Sequence, residues 1–501
     1  MTHNACKTLT LRPLSPHVRL IPSNTCHMPR YFVTLIVAVA LFMETMDSTV
    51  IATSLPAIAS DLHEDPIALK LALTSYLLSL AVFIPLSGWV ADRFGARKVF
   101  RAAIVVFTLG SAACGFAQGL PDFVLFRIIQ GMGGAMMVPV GRLVILRTVP
   151  KSELISALAW LTMPALLGPV IGPPLGGFIT TYLSWRWIFW INIPVGLVGV
   201  ILATRYVADI REKGLPPLDV KGFILSGVGL AGLAFGITTI GQGLLPSALV
   251  VALLAMGVIG CWLYVRHARE ASAPLLDLDL LKVDTFFASV VGGFLYRIGV
   301  GAMPFLLPLF LQLGFGMNAL QSGLLTFASA VGAIAMKTTA APILRRFGFK
   351  SVLVVNAVWS SFFIAATGMF TLGTPHTVIL AVLLVGGFFK SLEFTSINSI
   401  AYADIDVKAM SRATSFASVA QQLSLSAGVA VGALVLEIER MGRADNTVVA
   451  GDFPLAFLLV AVIAASSSLI FSLLPKEAGS SLSARARPVG VVEEAAPASQ
   501  A

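Results

Sequence analysis

Long apolar runs separated by short polar turns make up most of this chain. A helix needs about 20 consecutive apolar residues to cross a bilayer, and most of the runs approach or exceed that length. The pattern therefore predicts fourteen membrane-spanning helices, at approximately 31–55, 70–91, 99–118, 122–146, 154–181, 187–208, 220–239, 246–267, 285–313, 321–343, 351–372, 376–399, 412–436 and 454–474. Residues 1–30 and 475–501 are predicted to be tails, and the second is expected to be disordered.

Composition supports an all-α membrane protein. Hydrophobic residues make up 57% of the chain and charged residues only 12%, whereas about a quarter of a soluble protein is charged. Four scattered cysteines give no disulfide framework. Cys6 and Cys26, with the histidines near them, lack zinc-finger spacing, so no metal site is expected.

The basic residues give the predicted helices an orientation. If the N-terminus is cytoplasmic, the inner segments hold 26 of the 34 Lys and Arg residues, and the outer loops hold only Lys70, Arg186, Arg440 and Arg443. Lys and Arg are retained on the cytoplasmic side, so we expect a multi-pass inner-membrane protein with both termini in the cytoplasm. Topology then explains the net charge of +9, and no nucleic-acid partner is expected.

A repeated turn divides the chain into two related halves. The segment Gly88–Lys98, between helices 2 and 3, has a weaker echo in Leu344–Lys350, between helices 10 and 11. The repeat predicts six-helix bundles at 31–208 and 285–474, joined by a linker at 209–284 that contains helices 7 and 8. Internal repeats of this kind are typical of transporters, whose sites lie at the repeat interface near the membrane midplane.

Two acids in the first helix are the costliest feature of the sequence. Glu44 and Asp47 lie inside the apolar run that begins at Tyr31, where a central Asp costs about 2.5–3.5 kcal/mol on insertion scales. Their spacing of three residues places them on one helix face. That face is expected to line a cavity or to contact a partner, and we interpret it as an ion-coupling site.

Four motifs, taken in order, resemble those of the major facilitator superfamily, specifically its fourteen-helix drug:proton antiporter branch. The resemblance covers about residues 30–475 and rests on Asp47–Ala52 with Leu55–Pro56, Gly88–Lys98, Leu125–Gly131 and Gly168–Gly177. It implies a major facilitator fold of two six-helix bundles plus two extra central helices. It also implies alternating access, in which one central site opens to each side of the membrane in turn.

The loop after helix 2 corresponds to a conformational latch in that family. The residues that carry over to it are Gly88, Asp92, Arg93, Gly95 and Arg97, and the resemblance implies that they help to hold the outward-facing state. Gly88 is expected to let two helices approach closely and Gly95 to permit a tight turn. Asp92 opposes the dipole at the end of helix 2, so a cationic or helix N-terminal partner is expected. The alternative, a loop that is basic only to fix topology, explains Arg97 but not Asp92.

Arg127 of helix 4 lies within the motif Leu125–Gly131 that resembles the family's second motif. In this interpretation Arg127 faces the cavity with Gln130 beside it and influences the protonation of Glu44 or Asp47. The alternative is that Arg127 extends to the outer surface. Asp47 has support from the motif, whereas the role of Glu44 depends on the physics of a buried carboxylate. Either acid could instead make a structural contact only, and the sequence does not decide which carries the coupling proton.

Helix 5 carries the motif that favours export over symport. Its glycines at 168, 172 and 176 form a stripe of small residues that allows close helix packing, and its prolines favour a bend. The residues that the resemblance assigns to this antiporter motif are Gly168, Pro169, Gly172, Pro173, Gly176 and Gly177.

The second half supplies further candidates for the substrate cavity. With Gln130 they are Tyr296, Arg297, Phe305, Lys337, Lys390, Glu393, Gln421 and Gln422. Lys390 and Glu393, three residues apart, could simply neutralise each other. Arg297 and Lys337 could pair with the acids of helix 1 or bind an anionic substrate group. For the other candidates, ordinary packing is an equal alternative.

The expected function is proton-coupled antiport that exports lipophilic cationic or zwitterionic drugs, and not an enzymatic reaction. No cofactor is expected, because no nucleotide-binding domain is recognisable and the proton gradient supplies the energy. The alternatives are a transporter of one defined metabolite or organic anion, and a non-transporting membrane sensor. The expected partners are a small-molecule substrate, protons and the lipid bilayer, with the protein acting as a monomer or with an accessory periplasmic protein.

Overall fold

The computed structural model describes residues 31–149, 154–212, 217–240, 245–271, 273–406, 409–441 and 447–479. The predicted N-terminal tail with its cysteines, and most of the C-terminal tail, lie outside these residues. The described part contains fourteen long helical segments, of which twelve are long and apolar enough to cross a membrane by length and composition.

The helices follow one another in the predicted order. We label them α1 Tyr31–Val50, α2 Lys70–Phe94, α3 Ala96–Cys114, α4 Leu120–Thr148, α5 Leu154–Tyr182, α6 Asn192–Tyr206, α7 Val220–Thr239, α8 Ser247–Glu270, α9 Gly293–Leu309, α10 Ala319–Phe347, α11 Phe349–Thr367, α12 His376–Ile400, α13 Met410–Arg440 and α14 Phe453–Ser472. Short helical turns extend three of them, at Ile51–Ser54 and Leu55–Leu62 after α1, Trp187–Trp190 before α6, and Asp284–Phe287 before α9.

The first segment is longer than the predicted 31–55. Pro56 lies in the first turn of the helix Leu55–Leu62, where proline is tolerated because its missing N–H would have no helical partner. The helix then ends at His63, which adopts a left-handed backbone conformation with φ of 55°. The chain therefore continues in helical form past a proline that would break a helix in its interior.

The repeat seen in the sequence recurs in the backbone. Gly95 and Gly348 both have positive φ, of 100° and 76°, and each separates two helices that follow without a longer loop. Glycine suits both turns because it has no Cβ to clash at positive φ. The helices that follow, α3 and α11, are each 19 residues long. The two halves are thus built on the same helix–turn–helix plan.

The two halves share their largest hydrophobic core at one end. The largest cluster joins Val50 and Leu55 of the first half to Phe305, Phe310 and other residues of the second, at the end of the bundle away from Gly95. At the end near Gly95 and Gly348, two further clusters each lie within a single half. The halves are therefore closed against each other at one end and have separate cores at the other.

Helices α7 and α8 form a hairpin that packs beside α2 and α13. Asp219 fixes its base by accepting hydrogen bonds from the backbone N–H of Gly222 at 2.8 Å and of Leu275 at 3.3 Å, and by contacting His267 Nε2 at 2.7 Å. Burial alone would raise the pKa of Asp219, but these bonds outweigh burial and hold the pKa below its usual value. The Asp219 carboxylate thus connects α7 and α8 with the segment that follows α8.

Candidate functional site

Asp47 lies at the centre of a buried polar network between α1 and α4. Its Oδ2 accepts a hydrogen bond from Arg127 Nη1 at 2.6 Å, and its Oδ1 accepts one from Gln130 Nε2 at 2.8 Å. The same Arg127 nitrogen donates to Gln130 Oε1 at 2.7 Å, which closes a three-residue ring. The side chains of Asp47 and Arg127 are each only 1% exposed. The alternative in which Arg127 reaches the outer surface is therefore wrong.

A second layer of polar groups surrounds the ring. Asn192, at the start of α6, donates to Asp47 Oδ1 at 3.2 Å and to the Ser111 hydroxyl at 3.0 Å. Arg127 also donates from Nε to the Ala72 carbonyl at 3.2 Å, and its guanidinium lies 4.2 Å from the centre of the Tyr76 ring. A buried ion pair compensates its desolvation only when further hydrogen bonds satisfy its remaining groups. Here the neighbouring helices supply those bonds.

Glu44 lies one turn before Asp47 but outside this ring. Among the described residues, no side chain forms a hydrogen bond or an ion pair with Glu44, which is half-buried. A Cβ built on Gly134 would lie 3.7 Å from Glu44 Cγ and 3.1 Å from the Tyr76 hydroxyl. Gly134 of α4 therefore lies next to both Glu44 and Tyr76. Arg127 therefore pairs with Asp47 and not with Glu44.

The glycine stripe of α5 packs on the helix that carries these acids. A Cβ at Gly168 or Gly172 would collide with Thr45 or Thr49, and one at Gly176 would collide with Val50. The Thr49 hydroxyl also donates to the Gly168 carbonyl at 3.3 Å. Helix α5 runs through Pro169 and Pro173 as one helix. On its other side, Gly177 lies against Ala319 of α10, so α5 joins the acidic helix to the second half.

The last turn of α2 has an ionic partner within its own half, and that partner also contacts the linker. Asp92 Oδ1 lies 2.8 Å from Arg147 Nη1 of α4, and Arg147 also contacts Glu212 at 3.2 Å. This supplies the cationic partner that the sequence predicts for Asp92. Gly95, with φ of 100°, makes the predicted tight turn, and a Cβ there would collide with Asp209.

Three latch residues make fewer contacts than expected. A Cβ at Gly88 would meet no atom within 4 Å, so the expected close helix approach at Gly88 is wrong in this conformation. For Arg93 and Arg97, the structure gives no ion pair with any residue that it describes. The latch function of the five residues stays a prediction.

The cations of α9 and α10 do not reach the acids of α1. Arg297 donates to Asn398 Oδ1 at 2.9 Å and to the Ser289 carbonyl at 3.5 Å. Lys337 donates to the Thr395 hydroxyl at 2.8 Å. The expected alternative of pairing across the cavity with Glu44 or Asp47 is therefore wrong here, because both cations are held within their own half.

Lys390 and Glu393 also fail to form their expected pair. Glu393 accepts a hydrogen bond from Asn356 Nδ2 of α11 at 2.8 Å, whereas Lys390 donates to the Ser329 hydroxyl of α10 at 3.1 Å. The two side chains point toward different neighbouring helices. Glu393 therefore bonds to α11, whereas Lys390 bonds to α10. Lys390 lines a small cleft together with Met303, Phe363 and Ser360.

The remaining predicted cavity residues divide by burial. Tyr296 and Phe305 are fully buried, and the Tyr296 hydroxyl lies 2.7 Å from that of Ser360. Phe305 belongs to the core shared by the halves and not to a cavity wall in this conformation. Gln130 belongs to the Asp47 ring. Gln421 and Gln422 of α13 are half-buried, and their place in a substrate pocket stays a prediction.

The sequence profile of the Major Facilitator Superfamily matches residues 37–265 and 289–498, which together cover most of the chain. The chain belongs to this superfamily. The gap between the matched segments begins in the last turns of α8, so the profile covers both halves and most of the extra hairpin.

Relatives of this superfamily member include two named "Putative multidrug resistance protein MdtD". The one from Pectobacterium atrosepticum is 36% identical over 444 residues, covering 88% of this chain and 95% of the relative. The one from Escherichia fergusonii is 37% identical over 449 residues, covering 88% and 94%. The predicted multidrug branch of the superfamily is thereby confirmed.

Solved structures agree with the fold. The crystal structure of a mutant of the nucleoside transporter NupG superposes with a TM-score of 0.64 at 12% identity, covering 88% of this chain and 98% of that one. That of the D-xylose-proton symporter gives 0.62 at 15% identity, covering 90% and 99%. At such identities the likeness concerns the fold alone. The predicted major facilitator fold is confirmed, and the protein is a multi-pass membrane transporter, not an enzyme.

In this superfamily member, ion pairs also join the two halves at the closed end. Lys70 Nζ of α2 lies 3.2 Å from Glu437 Oε1 of α13, and Arg440 of α13 pairs with Asp65. The sequence placed Lys70 and Arg440 in outer loops, but both lie within helices and Lys70 is fully buried.

Sequence reasoning missed four functional candidates, Asn192, Arg147, Asn356 and Glu437. The two asparagines are single amides in apolar runs, which is the signal that could have found them. Arg147 and Glu437 lie near helix ends, where charged residues are common and carry no such signal.

Proposed function

We propose that the protein exports lipophilic cationic or zwitterionic compounds across the inner membrane in exchange for protons. The observation that carries this proposal is the buried ring of Asp47, Arg127 and Gln130, one turn from the unpaired Glu44. The names of the MdtD relatives support a multidrug substrate range. The glycine stripe that packs α5 on α1 supports export, in line with the antiporter motif.

The proposed orientation places both termini in the cytoplasm. The end of the bundle that carries Gly95 and Gly348 then faces the cytoplasm, and the shared core with the Lys70–Glu437 pair closes the outer side. In this orientation the conformation is inward-facing. In this state, substrate would enter the site from the cytoplasm and protons would be released into the cytoplasm.

The two acids have different proposed tasks. Asp47 is held by Arg127, Gln130 and Asn192, which donate three hydrogen bonds to its two oxygens. Glu44 has no such donors among the described residues, so its carboxyl is the one available to exchange a proton for a cationic substrate. Binding of the substrate cation would then displace the proton of Glu44, and protonation from the outer side would later displace the substrate. Competition for one carboxyl couples the two fluxes.

Efflux from vesicles tests this assignment. Glu44→Gln and Asp47→Asn are made singly, and export of the lipophilic cation ethidium is driven by an imposed pH gradient. Glu44→Gln is expected to abolish gradient-driven export. Glu270→Gln is the matched control, because Glu270 is exposed and forms only a surface pair with Arg266. Export at the parental rate by both helix 1 variants would show that coupling lies elsewhere.

A single organic anion remains the second candidate substrate, and one observation favours it. The ammonium of Lys390 lines the cleft of the second half, and among the described residues it has no carboxylate partner. An anionic group entering the cleft would find that charge available. Mutual inhibition among chemically unrelated cations would favour the multidrug proposal, whereas inhibition by 1-naphthoate alone would favour the anion.

We also propose that the transporter acts as a monomer that needs no cofactor beyond the proton gradient. An accessory periplasmic protein is compatible with this arrangement. Size determination of the purified protein, with efflux from vesicles that contain only this chain, tests both points.

A further inference from the structure

The second half contains a buried carboxyl whose charge nothing balances in the described part of the chain. Glu393 of α12 is fully buried, and its one hydrogen-bond donor there is the neutral amide of Asn356 on α11, at 2.8 Å. Three other carboxyls of the membrane helices each differ from it. Asp47 is paired with Arg127, Glu437 is paired with Lys70, and Glu44 is only half-buried.

The charged and titratable groups around Glu393 are all engaged elsewhere. Arg297 of α9 bonds to Asn398, Lys337 of α10 bonds to Thr395, and Lys390 of α12 bonds to Ser329. The Tyr296 hydroxyl of α9 lies against Ser360. No ion pair to Glu393 exists in the part of the chain that the structure describes. An isolated ionised carboxylate is very costly to bury and takes up a proton instead.

Two buried oxygens support the protonated form. Glu393 Oε1 and Asn356 Oδ1 are both buried and have no hydrogen-bond partner among the described residues. Both are acceptors when Glu393 is ionised, and two neighbouring acceptors cannot satisfy each other. A proton on the carboxyl adds the donor that this pair of side chains lacks. Asn356 meanwhile is anchored by a bond from its Nδ2 to the Phe389 carbonyl at 2.9 Å.

We propose that Glu393 is a second proton-binding site, located in the half of the transporter that lacks Asp47 and Arg127. The proposal extends the proposed proton-coupled function, since it gives each half one acid that can carry a proton. In the inward-facing state Glu393 is protonated and bonded to Asn356. Its proton leaves only when the helices of this half rearrange and bring water or a cation to the carboxyl.

Carbodiimide labelling tests the proposal without any transport measurement. Dicyclohexylcarbodiimide is lipophilic and reacts with a protonated buried carboxyl, whose O–H adds across one C=N bond. The O–C bond forms, the proton moves to nitrogen, and the adduct rearranges to a stable N-acylurea with no leaving group. Peptide mass spectrometry of the labelled, purified protein then identifies each modified acid. Glu393 is expected to be modified at neutral pH, whereas Asp47 and Glu437 are expected to stay unmodified because each is bonded to a buried cation.

Two variants make the result decisive. Glu393→Gln keeps the acceptor for Asn356 Nδ2 and adds an amide donor for Asn356 Oδ1, so it is expected to fold at least as stably as the parent. It should remove one infrared C=O band of a protonated carboxylic acid from the spectrum. Asn356→Leu should leave that band present but shifted, because the carboxyl then loses its amide partner.

The outcomes separate this proposal from the proposed function. Labelling of the protein unfolded at low pH is the positive control, in which the reagent should modify every one of these acids. An unmodified Glu393 in the folded protein, or an unchanged infrared band in Glu393→Gln, would overturn the second proton site. Export driven by the pH gradient could still be intact in that case. Conversely, if Glu393 is modified but the protein shows no antiport, the result would support the second proton site and contradict the proposed antiport.

Discussion

Lys70 and Glu437 form a buried ion pair that joins the two halves of the transporter. The Lys70 ammonium and the Glu437 carboxylate lie 3.2 Å apart, and each side chain is 1% exposed. The second pair, between Asp65 and Arg440, lies at the same end. In the proposed orientation, opening this end to the outside must separate α2 from α13, so both pairs would have to break. The energy of these pairs therefore sets part of the balance between the two states.

Removal of Lys70 should favour the state that is open at this end. Lys70→Met leaves Glu437 as an unpaired buried charge, which costs about 3–5 kcal/mol in the closed state. We expect at least a tenfold shift in population, measured as a longer distance between spin labels on the loops at Gln118 and Gly373. The reversed pair, Lys70→Glu with Glu437→Lys, should restore the parental distance. Lys282→Met, at an exposed pair with Asp279, should change nothing. If Lys70→Met gave the parental distance distribution, the Lys70–Glu437 pair would not stabilise the closed state.

A double-mutant cycle separates structure from coupling at Asp47. Arg127→Met or Asp47→Asn alone leaves one buried charge, so each should lower the free energy of unfolding by about 3–5 kcal/mol. The double variant removes both charges and should recover most of that loss in thermal unfolding experiments. It should nevertheless fail to export ethidium against a gradient. A stable double variant with parental export would mean that the pair is structural only.

Close packing of α5 on α1 should make the helix 5 stripe intolerant of added atoms. Gly172→Ala places a Cβ against Thr49, and such overpacking costs about 1–3 kcal/mol. Gly88→Ala is the matched control, because a Cβ there meets no atom within 4 Å. Thermal unfolding should therefore show a loss for the first variant and none for the second. Equal stability of the two variants would contradict the contact between α5 and α1.

The pair of Asp92 with Arg147 should affect the rate of transport more than the binding of substrate. Asp92→Asn weakens an ion pair that joins the last turn of α2 to α4 at 2.8 Å. We expect turnover to fall about tenfold, equivalent to about 1.4 kcal/mol in the activation barrier. The ethidium dissociation constant should stay within about twofold of the parent. Glu270→Gln, the same acid-to-amide change at an exposed site outside the latch, is the control. Unchanged turnover in Asp92→Asn would contradict the latch function.

The sequence predicted the helices well, because the length of an apolar run sets whether a helix can cross a bilayer. The turn at Gly95 and its echo at Gly348 were also predictable, since positive φ favours glycine. The predicted partner of Asp92 was correct in kind, a cation, but Arg147 could not be named because it lies 55 residues away in the chain.

The pairing of buried charges was not predictable in the same way. Spacing along α12 suggested that Lys390 and Glu393 neutralise each other, but Ser329 and Asn356 on neighbouring helices bind them separately. The helical period predicts which residues share a face of the helix. It does not predict which neighbouring helix packs against that face.

The amino-acid sequence by itself determined the number of helices, the repeat and the presence of a buried acid at Asp47. Each of these depends on local hydrophobicity or on the conformational freedom of single residues. Only the tertiary structure decided that Arg127 pairs with Asp47 and not with Glu44, that Lys70 meets Glu437, and that Glu393 has no counter-charge among the described residues. The physical reason is that a buried charge depends for its energy on the groups that other helices bring within a few ångströms of it.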